Sequence, residues 1–340
     1  MKNSINLFDY ELPTELIADK PRPRREDAKL MVYDRSKDDI NHSRFSCLSD
    51  YFNKGDLLVL NDTKVIPGRL YLNKESGGLV EVLFHKNITD KKIICIFKSS
   101  RKLLMNSRLL IDKNNYFTVE KVEQNYVTLS CNNDPMKYFL KYGHVPLPKY
   151  IKREATAEDA NRYQTIYAKN IGSVAAPTAG LHFTDEVLSD LQKKGVRIEY
   201  LTLHVTYNTF KPISVENYEN HKIGSEVCFI KDSLISKIIS TRDSCNKVYA
   251  AGTTTTRALE NYASKQYKGD FSGDVDLYIT PGHKFKMIDG LITNFHLPKS
   301  TLLLLVSSLI GRKKLLNLYN LAIDNDYRFY SYGDSMFIKI

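Results

Sequence analysis

Three short segments of this chain gather side chains able to move protons or hold a polar ligand. The first is Gly172-Ser173-Val174-Ala175-Ala176-Pro177-Thr178-Ala179-Gly180-Leu181-His182-Phe183-Thr184, small residues arranged around one histidine. Small side chains let a ligand reach the backbone, and Pro177 and Gly180 restrict the shape of the turn. Thr184 is placed to cap a helix opened by Asp185 and Glu186, with Val187, Leu188 and Leu191 as its apolar stripe and Gly195 as its stop. A helix amino terminus beside a lone imidazole suits chemistry on a polar ligand. An ordinary tight loop before a helix would use the same residues.

The second segment, Ala251-Gly252-Thr253-Thr254-Thr255-Thr256-Arg257, reads as a strand handing over to a helix. Backbone amides and a row of hydroxyls there suit a carboxylate, a phosphate or a ribose. It lacks the Gly-Lys-Thr or Gly-Lys-Ser ending of a Walker loop and the spaced glycines of a dinucleotide fingerprint. A threonine-capped helix is the plainer alternative. The third segment runs Asp289-Gly290-Leu291-Ile292-Thr293-Asn294-Phe295-His296-Leu297-Pro298-Lys299-Ser300-Thr301. Ser300 or Thr301 is accounted for as a helix cap, whereas Asn294 and His296 together fit a ligand site at a strand-to-helix junction. Three weaker candidates remain. His204 fits a core position equally well, His221 and Glu226 would make an acid–base pair or a loop contact, and Asp334 offers a carboxylate on a turn.

Arg22, Arg24, Arg25 and Lys29 near the start, and Lys149, Lys152 and Arg153 in Leu147-Pro148-Lys149-Tyr150-Ile151-Lys152-Arg153, mix cations with aromatic rings. That mixture suits a phosphate backbone with stacked bases, although a solvated basic face has the same composition. The formal charge of +10 over 340 residues agrees with a polyanionic partner. Five scattered cysteines form no C-x-x-C pair, so no zinc, iron–sulfur or redox motif is expected and the metal complement is read as none. No secretory leader opens the chain, and the apolar run 302–310 is too short for a bilayer, so a buried helix and a cytoplasmic location are expected.

These residues need elements to position them. Strands are predicted over 30–34 and 56–61, with a short helix toward Ala18. Between 68 and 150 the sequence is a succession of short alternating runs, at 79–84, 92–97, 116–120 and 126–129, divided by turn residues. Such spacing argues for a small antiparallel barrel. From 151 onward strands and helices alternate: a strand over 196–205, a helix over 233–242, a strand over 248–251, a strand group from 276 with a hairpin at Asp289-Gly290, and a helix pair over 300–323. The predicted fold is a layered α/β body, 1–67 and 151–340, carrying the active site, with an inserted small antiparallel β-barrel at 68–150.

Taken together the motifs resemble the S-adenosylmethionine:tRNA ribosyltransferase-isomerase family. The resemblance runs from Phe8-Asp9-Tyr10 through Asn61-Asp62-Thr63, Gly143-His144-Val145-Pro146-Leu147-Pro148 and the His182 segment. It continues through Gly252-Thr253-Thr254 with Arg257, Leu259 and Glu260, the Thr293-to-Thr301 stretch, Tyr327-Arg328-Phe329 and Ser331-Tyr332-Gly333-Asp334. The chain departs from the family pattern at Thr206, Tyr207 and Asn208, where glycines are usual between His204 and Thr209-Phe210. It departs also at Gly224, where a histidine is frequent, at Lys149 in place of proline, and at Gly68 in place of alanine. The first departure argues against a close backbone approach to ligand near Tyr207, the second against a general role for that histidine.

The resemblance implies a reaction: the ribosyl part of S-adenosylmethionine passes to 7-aminomethyl-7-deazaguanine in a tRNA anticodon, giving epoxyqueuosine and releasing adenine and methionine. S-adenosylmethionine is then a consumed co-substrate, no resident cofactor is implied, and a monomer is the expected state. The sulfonium acidifies the neighbouring ribose carbon, so one modest base can start the reaction, and the departing adenine calls for a proton or hydrogen-bond donor. On this reading His182 is the first general acid/base candidate and His296 the second, with Asp289 or Glu226 as carboxylate partner. Thr253, Thr254 and Arg257 would hold the donor's carboxylate or ribose hydroxyls, and Thr178, Gly180, Asn294 and Asp334 complete the substrate set. Arg24, Arg25, Lys149, Lys152 and Arg153 would meet the RNA. Two rivals stand beside it: a non-catalytic RNA-binding protein, and an ordinary methyltransferase, which the missing glycine fingerprint disfavours.

Overall fold

Apolar runs long enough to be covered on both faces make the centre of the molecule. In a computed structural model, which describes residues 3–148, 150–207 and 213–340, Arg197–Leu203, Leu57–Asn61, Val248–Ala251 and Gly290–Asn294 lie side by side and parallel. Alternate residues serve opposite layers: Leu57, Val59, Val248 and Ala250 face one core, while Leu58, Leu60, Tyr249 and Ala251 face the other. A strand covered on both sides reads as an unbroken hydrophobic run for this reason.

Five further strands extend the sheet to nine. Glu226–Ile230 and Phe271–Val275 add antiparallel edges beyond Arg197–Leu203; Ser335–Lys339, Lys29–Asp34 and Asp39–Arg44 add the other side. Helices Asp232–Asp243, Thr253–Ser264, Thr301–Ile310 and Arg312–Asp324 cover one face. Asp185–Lys193 and the 3-10 segment Phe45–Tyr51 cover the other. The expected layered α/β body is present, and so is the barrel. Arg69–Lys74, Leu79–Thr89, Lys92–Ser99, Arg108–Leu110, Tyr116–Glu123 and Tyr126–Ser130 close on themselves around Leu72, Val82, Cys95, Phe117, Val127 and Leu129. The short strand Thr63–Val65 pairs in parallel with Asn170–Ser173, so the chain leaves the body for the barrel and returns to it at one point.

Two expectations fail. Residues 276–280 are not a strand, and Asp289-Gly290 is not a hairpin turn but the entrance to the strand Gly290–Asn294. The glycine serves packing there: a Cβ at Gly290 would stand 2.4 Å from the Ile338 carbonyl and 2.8 Å from the Tyr249 ring. Among the described residues no helix is long and apolar enough to cross a membrane. All five cysteines are free thiols, and no three His, Cys, Asp or Glu side chains among the described residues group around a possible metal position.

Candidate active site

The carboxyl ends of the four parallel strands define one edge of the sheet, where the chain must turn away and leaves backbone groups open to a ligand. His204 follows one strand, Asp62 and Thr63 the next, Gly252 and Thr253 the third, and His296 the fourth. Asp334 reaches the same edge from the other direction, because Ser335 pairs with Asn294 in an antiparallel register. The 3-10 turn Thr178–His182 lies over this edge: a Cβ on Gly252 would come 3.9 Å from the Ala179 Cβ.

His182 is buried, and its Nε2 lies 3.1 Å from the amide nitrogen of Asn294. That amide nitrogen also donates to the Tyr330 carbonyl at 3.1 Å, a role only the NH2 group can fill. The amide orientation is thereby decided, His182 Nε2 is the acceptor, and the proton of the neutral ring sits on Nδ1. Burial drives the His182 pKa from 6.5 down to about 3, with Arg25, Arg22 and Arg328 pushing the same way and a backbone hydrogen bond at Arg25 opposing. The Asn294 Oδ1 is buried with no partner. At this site a buried acceptor without a donor is available to a ligand N–H.

His296 is held differently. Its Nε2 lies 2.8 Å from the Thr293 hydroxyl, its backbone N–H donates to the Tyr319 hydroxyl at 3.0 Å, and its carbonyl accepts from the Tyr10 hydroxyl. Burial alone lowers its pKa to about 3. Both imidazoles are therefore neutral at physiological pH. Gly252, at φ 95°, makes the turn into Thr253–Ser264, a conformation that L side chains rarely adopt. Thr255 and Thr256 return their hydroxyls to the Ala251 and Gly252 carbonyls at 2.6 and 3.2 Å, whereas the Thr254 hydroxyl is buried with no partner. Arg257 meets Glu226 at 2.6 Å and the Leu277 carbonyl at 3.1 Å, leaving its Nη2 unpartnered.

The structure brings His182, Asn294, His296, Thr178, Gly180 and the threonine row to one edge, and it separates others from them. Asp289 precedes its strand and accepts from Val248 N–H at 2.9 Å and from Arg242 at 3.5 Å, at the far end of the sheet. A carboxylate there cannot partner either histidine. Glu226 reaches the correct edge but is bound to Arg257 and to the Thr206 N–H at 2.9 Å, while His221 lies edge-on to Tyr278. Asp334 is fully buried and accepts from Arg22 and from the backbone N–H groups of Lys29 and Arg328. It is a clamp for an arginine, with no acceptor capacity left for a ligand. His204 is bonded to the Thr63 hydroxyl at 2.8 Å, as a core histidine would be.

Among the expected RNA contacts, Lys152 is exposed and Arg24 is exposed beside Glu26. Arg153 is taken up by Asp159 at 2.6 Å, and Arg25 ties the Leu181 and Asn161 carbonyls. Arg153 is thus a structural pin. Lys149 lies outside the described residues, as do Asn208, Thr209 and Phe210; Tyr207 packs against the barrel core. Sequence reasoning missed Arg162, which donates to the Pro23 and Arg22 carbonyls, and missed the tyrosines that hold His296. No local pattern could have identified them, because each works on a segment far away in the chain.

Residues 5–338 match the family described as queuosine biosynthesis protein. The chain is 45% identical to the S-adenosylmethionine:tRNA ribosyltransferase-isomerase of Halothermothrix orenii, over 97% of this chain and 98% of that one. It is equally 45% identical to the protein of the same name from Aquifex aeolicus, over 98% and 99%. The crystal structure of the S-adenosylmethionine tRNA ribosyltransferase from Thermotoga maritima is similar over 98% of this chain and 99% of that one, with a TM-score of 0.58 and 32% identity. With the family covering all but the extreme ends and the solved relative sharing the fold, the chain belongs to the queuosine biosynthesis protein family.

Proposed function

We infer that this protein is an S-adenosylmethionine:tRNA ribosyltransferase-isomerase. It moves the ribosyl moiety of the sulfonium donor onto 7-aminomethyl-7-deazaguanine in a tRNA anticodon and so takes part in queuosine biosynthesis. The observation that carries the reading is the meeting, at one sheet edge, of three segments distant in sequence: the His182 turn, the threonine row and the Asn294–His296 strand end. The donor is consumed, and no resident cofactor is needed.

The chain's own groups supply the steps in a definite order. Burial keeps His182 neutral and so able to accept a proton from the ribose carbon beside the sulfonium. The same burial weakens it as a base, so the imidazolium that forms must be stabilised by the bound substrates. Its Nε2 lone pair is covered by the Asn294 amide, so Asn294 must swing aside or exchange partners before the proton moves. The unpartnered Asn294 Oδ1, Thr254 hydroxyl and Arg257 Nη2 are the groups open to donor hydroxyls, adenine N–H or carboxylate. His296, held by Thr293 and Tyr319, keeps the strand end rigid and, as a neutral ring, is the second candidate to hydrogen-bond the departing adenine.

The test uses methyl-labelled S-adenosylmethionine and an anticodon stem–loop bearing the modified base. Adenine release without label in the RNA is the expected result, and His182→Ala should slow it by about 10²–10⁴-fold while leaving RNA binding intact. Label in the RNA would make the protein a methyltransferase. Binding without adenine release would make it a recognition module.

A further inference from the structure

The arginines near the amino terminus do not decorate an open face; they line a cleft that ends on His182. Its walls include Pro21, Arg22, Arg25, Arg162, His182 and Tyr332, around a cavity of about 20 Å³, room for one small group such as a phosphate oxygen. Arg328 stands at the same place, donating to the Lys20 and Tyr332 carbonyls. Asp334 is bonded into this group through Arg22, and Asp334 and Asp19 both stand near Arg328. Arg25, Arg162 and Arg328 use backbone carbonyls instead, which orient a guanidinium without cancelling its charge. Each guanidinium has five N–H groups, so donors remain on every one of them. The crowding has an electrical signature: burial and Arg162 lower the pKa of Arg25 against Tyr332 and Tyr167, and burial and Arg22 lower that of Arg328 against Asp334 and Asp19.

Charge decides which substrate belongs there. The donor carries a sulfonium, an ammonium and a carboxylate, so its net charge is positive and a cluster of guanidiniums repels it. RNA offers a phosphodiester anion at every nucleotide, and arginine forks match its oxygens in geometry as well as sign. The threonine row, by contrast, stands beside the Glu226–Arg257 pair, whose charges cancel. We propose that the cleft of Arg22, Arg25, Arg162 and Arg328 binds a phosphodiester flanking the target nucleotide of the RNA, while the donor occupies the threonine row of the same sheet edge. The proposal rests on the activity inferred above. It makes Arg162 and Arg328 RNA-binding residues and sets the bound phosphodiester at the mouth of the cleft that His182 lines.

The experiment measures RNA binding separately from turnover. Arg162→Gln should weaken stem–loop affinity by about tenfold and lower the slope of log affinity against log salt by about 0.7–1. The KM for S-adenosylmethionine should stay within about twofold of the parent. A stem–loop with a neutral methylphosphonate beside the target nucleotide should lose the same factor with the parent protein and lose nothing further with Arg162→Gln. That second arm uses the unaltered chain, so it reports even if the variant folds poorly. An unchanged salt slope together with full affinity for the methylphosphonate RNA would overturn the placement. A rise in donor KM with RNA affinity intact would overturn it in favour of the donor's carboxylate. Adenine release by the parent protein in the same reaction reports on the activity alone, so the two inferences fail separately.

Discussion

Acid should destabilise this protein through two particular side chains. His182 and His296 are both held near pKa 3 in the folded state, against 6.5 for an exposed imidazole. Above pH 6.5 neither the folded nor the unfolded chain protonates them, and they contribute no pH dependence. Below 6.5 the unfolded chain takes up two protons that the folded one refuses, so stability falls with falling pH until about pH 3. Each histidine contributes about 1.36 kcal/mol per pH unit, which gives ~2 kcal/mol each and ~4 kcal/mol together at pH 5. Carboxylates titrate over part of the same range, so the difference between two proteins is the measurement. His296→Gln removes one proton from the balance and keeps a polar side chain near Thr293. Urea unfolding from pH 7.5 to 5 should show the two stability curves converging by ~2 kcal/mol at pH 5 relative to their separation at pH 7.5. Curves that stay parallel would mean that His296 protonates normally in the folded state, and the neutral-imidazole reasoning for His182 would fall with it.

Removing one member of the buried pair by Glu226→Gln strands the Arg257 charge and should cost about 3–5 kcal/mol, read as a lower Tm; adding Arg257→Met should recover much of it. A Cβ at Gly180 would lie 2.3 Å from the Tyr167 hydroxyl and 2.8 Å from Thr165 Cγ2, so Gly180→Ala should displace the His182 turn. The overpacking costs about 1–3 kcal/mol, and kcat should fall by a larger factor than the donor affinity.

Much of the molecule was legible in the order of its residues. Apolar runs such as Leu57-Leu58-Val59-Leu60 announced strands, and alternation such as Leu79-Val80-Glu81-Val82 announced the barrel. The Thr184 and Ser300 caps act as expected, accepting from Val187 and Leu303 N–H. These features depend on neighbours within a turn or two, and the sequence states those neighbours. Asp289-Gly290 misled because a hairpin and a close strand approach both favour glycine, and only the Ile338 carbonyl packed against it distinguishes them.

Composition determined that this chain would be basic, the order of its apolar and alternating runs that it would be layered and barrel-bearing, and its motifs determined the family. Which carboxylates are spent on structure was decided by contacts between segments from 31 to 312 residues apart: Asp334 on Arg22, Glu226 on Arg257, Asp289 at the wrong end of its strand. The same holds for the protonation state of His182, because burial and three arginines from distant segments set it. Hydrogen bonding and desolvation act over a few ångströms of space, and position in the chain carries no record of that distance until the sheet has formed.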